Sequence, residues 1–190
     1  MKRMEEKIIS EGKVLPGGIL KVGSFLNQQI DSAFLKEIGQ EIARLFAEAA
    51  VDKVLTVEAS GIAIAAVTAM ELGVPMVFAK KHKSSNVDGE VVSAPVHSFT
   101  HNTDYNIVVS RDYLTPGERI LLVDDFLANG NALIGLRKLT DDAGCICVGA
   151  AAAIEKGFQG GGDLLRAAGM RVESLAIIDS MTDTEIVFRS

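Results

Sequence analysis

Cysteine is scarce in this 190-residue chain, which holds two, Cys145 and Cys147. They stand two apart on an apolar segment expected to be a strand, where alternation sends them to one side and in-strand neighbours rarely bridge. A disulfide or metal site is disfavoured, and small buried hydrophobes in a reducing, cytoplasmic setting is the better reading. Proline is also sparse, 4 against 18 glycines, and 48% of the residues are hydrophobic, which describes a globular rather than a disordered chain. No apolar run reaches the ~18 residues needed to span a bilayer. The stretch Met1–Lys7 is charged and lacks the apolar region of a signal peptide. Positive charge is not in excess either: the formal net charge of −6 disfavours non-specific binding to nucleic acid. His82, His97 and His101 have no zinc-ligand spacing and read as loop or surface residues. The Gly-Lys-Ser/Thr phosphate loop and the Gly-x-Gly-x-x-Gly dinucleotide fingerprint are both missing, which argues against a conventional NTPase or dehydrogenase.

What is present suits a single domain over residues 1–190, large enough for a substantial core. The mean hydropathy of +0.25 is high for a soluble monomer, and an oligomer interface or a core rich in Ala and Ile accounts for it. Residues 1–11 pattern as a short amphipathic helix with Met4, Ile8 and Ile9 on one face. Residues 13–30 look irregular, with a turn at Pro16-Gly17-Gly18. Asp31 or Ser32 caps a long helix whose core face is Phe34, Leu35, Ile38, Ile42, Leu45 and Phe46. Strand and helix then alternate: Lys53–Val57, Ile62–Leu72, Pro75–Lys80, Ile120–Val123, Asn131–Asp142, Cys145–Ile154, Leu164–Ala168 and Val172–Ile177. Such alternation predicts a doubly wound, mainly parallel α/β sheet with helices on both faces. The basic stretch Lys80–Asn86 interrupts it, and no helix intervenes before Val91-Val92 and Ile107–Val109. A hairpin-like excursion fits, either as a lid or, from charge alone, as a plain solvated loop.

Residues 119–133 carry most of the chemical information. The apolar run Ile120–Val123 ends in Asp124 and Asp125, and Ala128-Asn129-Gly130-Asn131-Ala132 then leads into a helical pattern. A continuous apolar run reads as a strand buried on both faces. The turn therefore lies at the carboxyl edge of the sheet and feeds a helix N-terminus, a ready phosphate site. Paired carboxylates beside a phosphate cradle suit a ligand that carries Mg²⁺ or develops positive charge. Glu58-Ala59-Ser60-Gly61 is a second small-residue turn between strand and helix. By itself it is an anion nest or an ordinary βα connection.

The run Ile120–Leu133, four hydrophobics, two acids and a small-residue turn, resembles the phosphoribosyl-pyrophosphate (PRPP) motif of type I phosphoribosyltransferases. The similarity extends nearly end to end and is strongest to the xanthine-using purine branch, through residues 20–27, Glu58–Gly61, Ala79–Lys83, Ser98–Thr100, Ala128–Gly130 and Ile154–Phe158. Where many members carry Thr this chain has Asn129, and where many carry a small or hydroxyl residue it has Asn131, so backbone donors would take over those contacts.

The resemblance implies transfer of the 5-phosphoribosyl group from PRPP to xanthine, giving XMP and pyrophosphate in purine salvage. Asp124 and Asp125 would be catalytic. Ala128, Asn129, Gly130, Asn131 and Ala132 would hold the 5′-phosphate. Glu58, Ala59, Ser60 and Gly61, often through an unusual peptide in this family, would receive pyrophosphate together with Lys81 and also Lys83. Lys156, from the strand rim, and Leu20 and Asn27, from a hood formed by about residues 1–30 with C-terminal contributions over a core of about 31–180, would contact the purine, with Phe126 nearby. Mg²⁺ would come with PRPP rather than sit in a site built by protein alone, and a homodimer is implied. Guanine, hypoxanthine or adenine transfer, or a non-catalytic PRPP-sensing regulator, are the alternatives. A regulator of DNA would need more than residues 1–30 offer, and one of RNA a basic face.

Overall fold

The computed structural model of the chain describes residues 1–81, 89–98, 103–182 and 185–189. Helix α1 (Lys2–Glu11) buries Met4 and Ile8, but Ile9 is 65% exposed, off the face assigned to it. Residues 13–30 are more regular than their composition suggests. Strands β1 (Lys13–Leu15) and β2 (Ile19–Lys21) form a hairpin around Pro16–Gly18, and Gly23–Asn27 makes a π-helical turn that buries Phe25 and Leu26. Helix α2 (Ser32–Leu45) begins at Asp31, whose Oδ1 accepts the Phe34 N–H at 3.1 Å. That satisfies one of the orphan donors at the helix start.

The central sheet is built from β3 (Lys53–Val57), β4 (Met76–Ala79), β7 (Arg119–Leu127), β8 (Ile146–Lys156), β9 (Val172–Met181) and β10 (Ile186–Phe188). The order β10-β9-β8-β7-β3-β4 is parallel throughout except for β10, which pairs antiparallel and extends the sheet past residue 180. Helices α2 and α3 (Gly61–Leu72) cover one face with α1, around Phe34, Ile38, Ile42, Leu121 and Val123. The other face lies under α4 (Asn131–Asp142), α5 (Gly161–Ala167) and a separate antiparallel hairpin, β5 (Val91–Ser98) with β6 (Thr103–Ser110), around Ile107, Leu122, Leu136 and Leu139. Lys80 joins that hairpin by paired main-chain bonds with Val108. The hairpin expectation holds, while His82, Lys83, Phe99, Thr100 and His101 fall outside the described residues. Cys145 is buried and Cys147 half-buried, both as free thiols.

One boundary differs in a way that matters. Strand β7 does not stop before the aspartates but continues to Leu127, because its ladder with β8 runs on through Asp124↔Ala152 to Leu127↔Glu155. Pairing with a neighbour outweighs the local change in polarity.

Candidate active site

Strands β3 and β7 are parallel neighbours, yet β4 lies beyond β3 and β8 beyond β7, so the sheet is wound in opposite directions from this pair. Open α/β sheets bind ligands in the crevice at such a switch point, outside the carboxyl ends of the strands. Here that crevice is flanked by the turns Glu58–Gly61 and Ala128–Ala132, the two segments singled out from sequence.

The second turn enters α4 through Gly130, a left-handed N-cap at φ +85° that supplies no side chain to cap the helix. The first-turn N–H groups of α4 and its positive dipole end therefore remain available to an anion. Asn131 spends its side-chain amide on the carbonyl of His97 at 3.1 Å, which ties the turn to the β5–β6 hairpin and leaves ligand contact to its main chain. A cavity of about 190 Å³ opens at this turn, lined by Tyr105, Asp124, Phe126, Asn129, Asn131 and Ala132 among others.

Asp124 forms part of the cavity wall and is only 6% exposed, whereas Asp125 is half-buried. Alternation along β7 starts the two side chains from opposite sides of the strand, yet the carboxylates lie close enough for Asp125 to act on Asp124 through both its charge and side-chain hydrogen bonding. The Asp125 N–H donates to Asp124 Oδ1 at 2.9 Å. Burial, reinforced by the charge of Asp125, pushes the Asp124 carboxyl well above the usual carboxylate range, and the Lys81 ammonium works against that rise.

The Glu58–Ala59 peptide bond is cis, in keeping with the unusual peptide that the family resemblance implies. Gly61 follows at the start of α3 and packs against Asp124, so that a Cβ there would stand 3.2 Å from Asp124 Oδ1. Lys81 joins the same group. Its N–H donates to Glu58 Oε1 at 2.7 Å, and its ammonium lies 5.5 Å from the centroid of the Tyr105 ring. Burial and the charge of Asp124 together raise the Tyr105 phenol above its ordinary value. The structure thus unites Asp124, Glu58–Gly61, Lys81 and Ala128–Ala132 within one chain.

Lys156 ends β8, two strands from β3. Its ammonium donates to the carbonyl of Gly18 at 3.0 Å and lies 5.6 Å from the centroid of the Phe126 ring. Burial lowers its pKa. Gly18 belongs to the turn of the β1–β2 hairpin, so this bond ties the end of β8 to the N-terminal segment. Leu20 buries its side chain in the core and has only main chain to offer a ligand, while Asn27 stands exposed at the end of the π-helical turn.

Tyr105 was not anticipated. Alternation along β6 does place it on the face of Ile107 and Val109, both buried, which is the one signal that could have found it. Among the described residues no group of three or more His, Cys, Asp or Glu could hold a metal ion. The hard oxygen donors of Asp124 and Asp125 suit Mg²⁺ that arrives on a substrate and keeps other oxygen ligands.

Comparison with known proteins agrees with this geometry. Residues 27–163 match the model of the phosphoribosyl transferase domain. A xanthine phosphoribosyltransferase of Brevibacillus brevis is 52% identical over 99% of this chain and 96% of its own. One of Clostridioides difficile is 50% identical over the whole of both chains. In structure, an adenine phosphoribosyltransferase of Giardia lamblia solved with 9-deazaadenine superposes with a TM-score of 0.78 at 21% identity, covering 94% of this chain and 98% of that one, which speaks to fold alone. With the domain match spanning the switch-point turns and the relatives aligned end to end, the chain belongs to the phosphoribosyltransferase family.

Proposed function

We propose that this chain transfers the 5-phosphoribosyl group of PRPP to xanthine, producing XMP and pyrophosphate in purine salvage. The observation that carries the reading is the placing of two anion-binding turns on adjacent strands with Asp124 between them: the Gly61 position abuts its carboxyl, and the cavity at Ala128–Ala132 includes it. The names of the relatives at 52% and 50% identity support xanthine as the base.

The chemistry follows from where charge develops. Displacement at the anomeric carbon passes through an oxocarbenium-like state, which the negative charge of Asp124 and Asp125 stabilises in a partly dehydrated site. Main-chain donors at Asn129–Ala132 hold the 5′-phosphate and so fix the sugar against those carboxylates. Main-chain donors around Ala59–Gly61 and the Lys81 ammonium receive the departing pyrophosphate. Part of the diphosphate charge would be neutralised by Mg²⁺ carried in with PRPP, for which Asp124 and Asp125 offer oxygen donors. The β5–β6 hairpin, with Tyr105 facing the cavity, limits access of water to the activated sugar. Lys156 has donors only and favours an oxo group on the base, Leu20 contributes main chain, and Asn27 completes the purine contacts.

We further propose a single domain, a homodimer and a cytoplasmic location. Exposed Met70 and Phe78, on α3 and edge strand β4, support self-association. No helix among the described residues is long and apolar enough to cross a membrane. The decisive test is turnover with PRPP and Mg²⁺ against a panel of bases. The expected kcat/KM is highest for xanthine, weaker for guanine and hypoxanthine, and nil for adenine. Comparable turnover of adenine overturns the assignment of the base, and no turnover of any base overturns the enzyme.

A further inference from the structure

The turn Ala128–Ala132 must keep its N–H groups aimed at one point, yet it is rich in small residues and has no side-chain cap. Its outer surface is held instead by α5. The Gly161 N–H donates to the Ala128 carbonyl at 3.1 Å. The approach is so close that a Cβ on Gly161 would collide with the Ala128 oxygen, the Asn129 carbonyl carbon and the Gly130 nitrogen, all main-chain atoms that cannot swing aside. A residue with any side chain at 161 must therefore displace the turn or α5.

Helix α5 is itself fixed from its far side. Gly162 packs on the Glu155 carboxylate so tightly that a Cβ would overlap Oε1. Glu155 has no solvent exposure, and Arg166 of α5 grips it with two bonds of 2.9 and 2.7 Å while the Ser174 hydroxyl donates to it as well. A bidentate pair of this kind fixes orientation as well as distance. Asp163 of α5 is held in turn by Arg189, which follows β10 and also pairs with Asp179 of β9.

We propose that α5 is a rigid brace for the 5′-phosphate turn, with Gly161 and Glu155 as positioning residues. It touches no ligand and acts by fixing where the main-chain donors at Asn129–Ala132 point. The inference rests on the proposed function, which makes that turn the phosphate site.

Three variants of the full-length protein test it by calorimetric binding of PRPP, ribose 5-phosphate and pyrophosphate, each with Mg²⁺. Gly161→Ala should weaken PRPP and ribose 5-phosphate by roughly tenfold or more, since displacement of a binding group by 1 Å can cost about 10²-fold, and leave pyrophosphate unchanged. Glu155→Gln keeps the shape at Gly162 but removes the charge that Arg166 grips, and should weaken the same two ligands by a smaller factor. It serves alone if Gly161→Ala does not fold. Gly160→Ala is the control, because a Cβ there meets nothing within 4 Å although φ is +77°. It should lower the thermal midpoint without changing ribose 5-phosphate binding, which separates a loss of stability from a loss of positioning. Wild-type affinity for ribose 5-phosphate in folded Gly161→Ala, or in folded Glu155→Gln should Gly161→Ala not fold, overturns the brace. Failure of the wild type to bind PRPP overturns the proposed function and the brace with it.

Discussion

Gly61 is wedged between Thr56 and Asp124: a Cβ built on it would overlap the Thr56 hydroxyl oxygen and stand 3.2 Å from Asp124 Oδ1. The Thr56 side chain is fully buried, so it has little freedom to move aside. Gly61→Ala should therefore shift the Glu58–Gly61 turn or Asp124, with a loss in kcat/KM of roughly 10²-fold for a displacement near 1 Å. Thr56→Ala removes the obstructing atom, and the double variant Thr56→Ala/Gly61→Ala should recover part of the loss. Steady-state kinetics on the three proteins check this. Losses that simply add would mean that the collision is not the cause.

Asp124 shows stability and activity set against each other. Burial raises its pKa in the folded protein, so the folded state holds a proton more tightly than the unfolded chain does. Stability then falls as pH rises through the unfolded carboxylate value toward the raised folded one, and the cost is greatest above both. Asp124→Asn carries no such cost and still offers an oxygen to the Asp125 N–H. Its thermal midpoint should exceed that of the wild type at pH 7.5, with the gap narrowing toward pH 4. Its kcat should fall by about 10²–10³-fold, the scale of losing one electrostatic stabiliser. A midpoint below that of the wild type at pH 7.5 contradicts the account of burial. For the half-buried Asp125, Asp125→Asn should lower kcat more than it raises the KM for PRPP.

Lys156 is predicted to select the class of base. Its ammonium is partly desolvated over Phe126, and burial favours the neutral amine. Because the folded pKa is lowered, the lysine's stability cost is present at neutral pH and is relieved as pH rises from that lowered value to the ordinary one. Lys156→Met removes the buried charge and keeps the apolar stem. Xanthine, guanine and hypoxanthine should lose affinity together, on the scale of ~1–3 kcal/mol for a buried partner left unpaired, with the KM for PRPP unchanged. Thermal stability should hold or rise. Selective loss of xanthine alone would point to another residue, Asn27 first.

Local signals in the sequence carried much of the fold. Asp31 announced the start of α2, Gly130 the start of α4, and the apolar runs marked β3 and the first half of β7. The paired acids and the two small-residue turns marked the crevice because such turns need particular residues at particular places. What stayed hidden depends on partners distant in the chain. The extension of β7 through Asp124 and Asp125 requires β8 beside it, and the antiparallel β10 needs β9 as template. Ile9 is apolar yet exposed, which periodicity has no means to reveal. The need for glycine at 161 and 162 comes from the Ala128–Gly130 main chain and Glu155 packed against them, contacts distant in the chain. Tyr105 enters the site only because the β5–β6 hairpin packs on α4 beside the cavity.

Lys81 couples charge to the same carboxyl that the cavity buries. Its positive charge pulls the Asp124 pKa down against desolvation, and its main-chain N–H is anchored on Glu58. Lys81→Ala therefore removes the counter-charge proposed for pyrophosphate and at the same time makes Asp124 harder to ionise. Turnover should slow by roughly 10²-fold, on the scale of removing one electrostatic contact to a developing charge, while xanthine affinity stays near that of the wild type. The pH profile supplies a second, independent sign. If catalysis needs the Asp124 carboxylate, the acid limb of kcat/KM should move to higher pH in Lys81→Ala, because the raised pKa delays ionisation. Lys81→Arg keeps the charge and should leave the limb in place, even where its bulk lowers the rate. Measuring kcat/KM across the acid range for the three proteins decides the matter. An unshifted limb with full turnover at saturating substrate would make Lys81 a bystander and return the basic segment to a solvated loop.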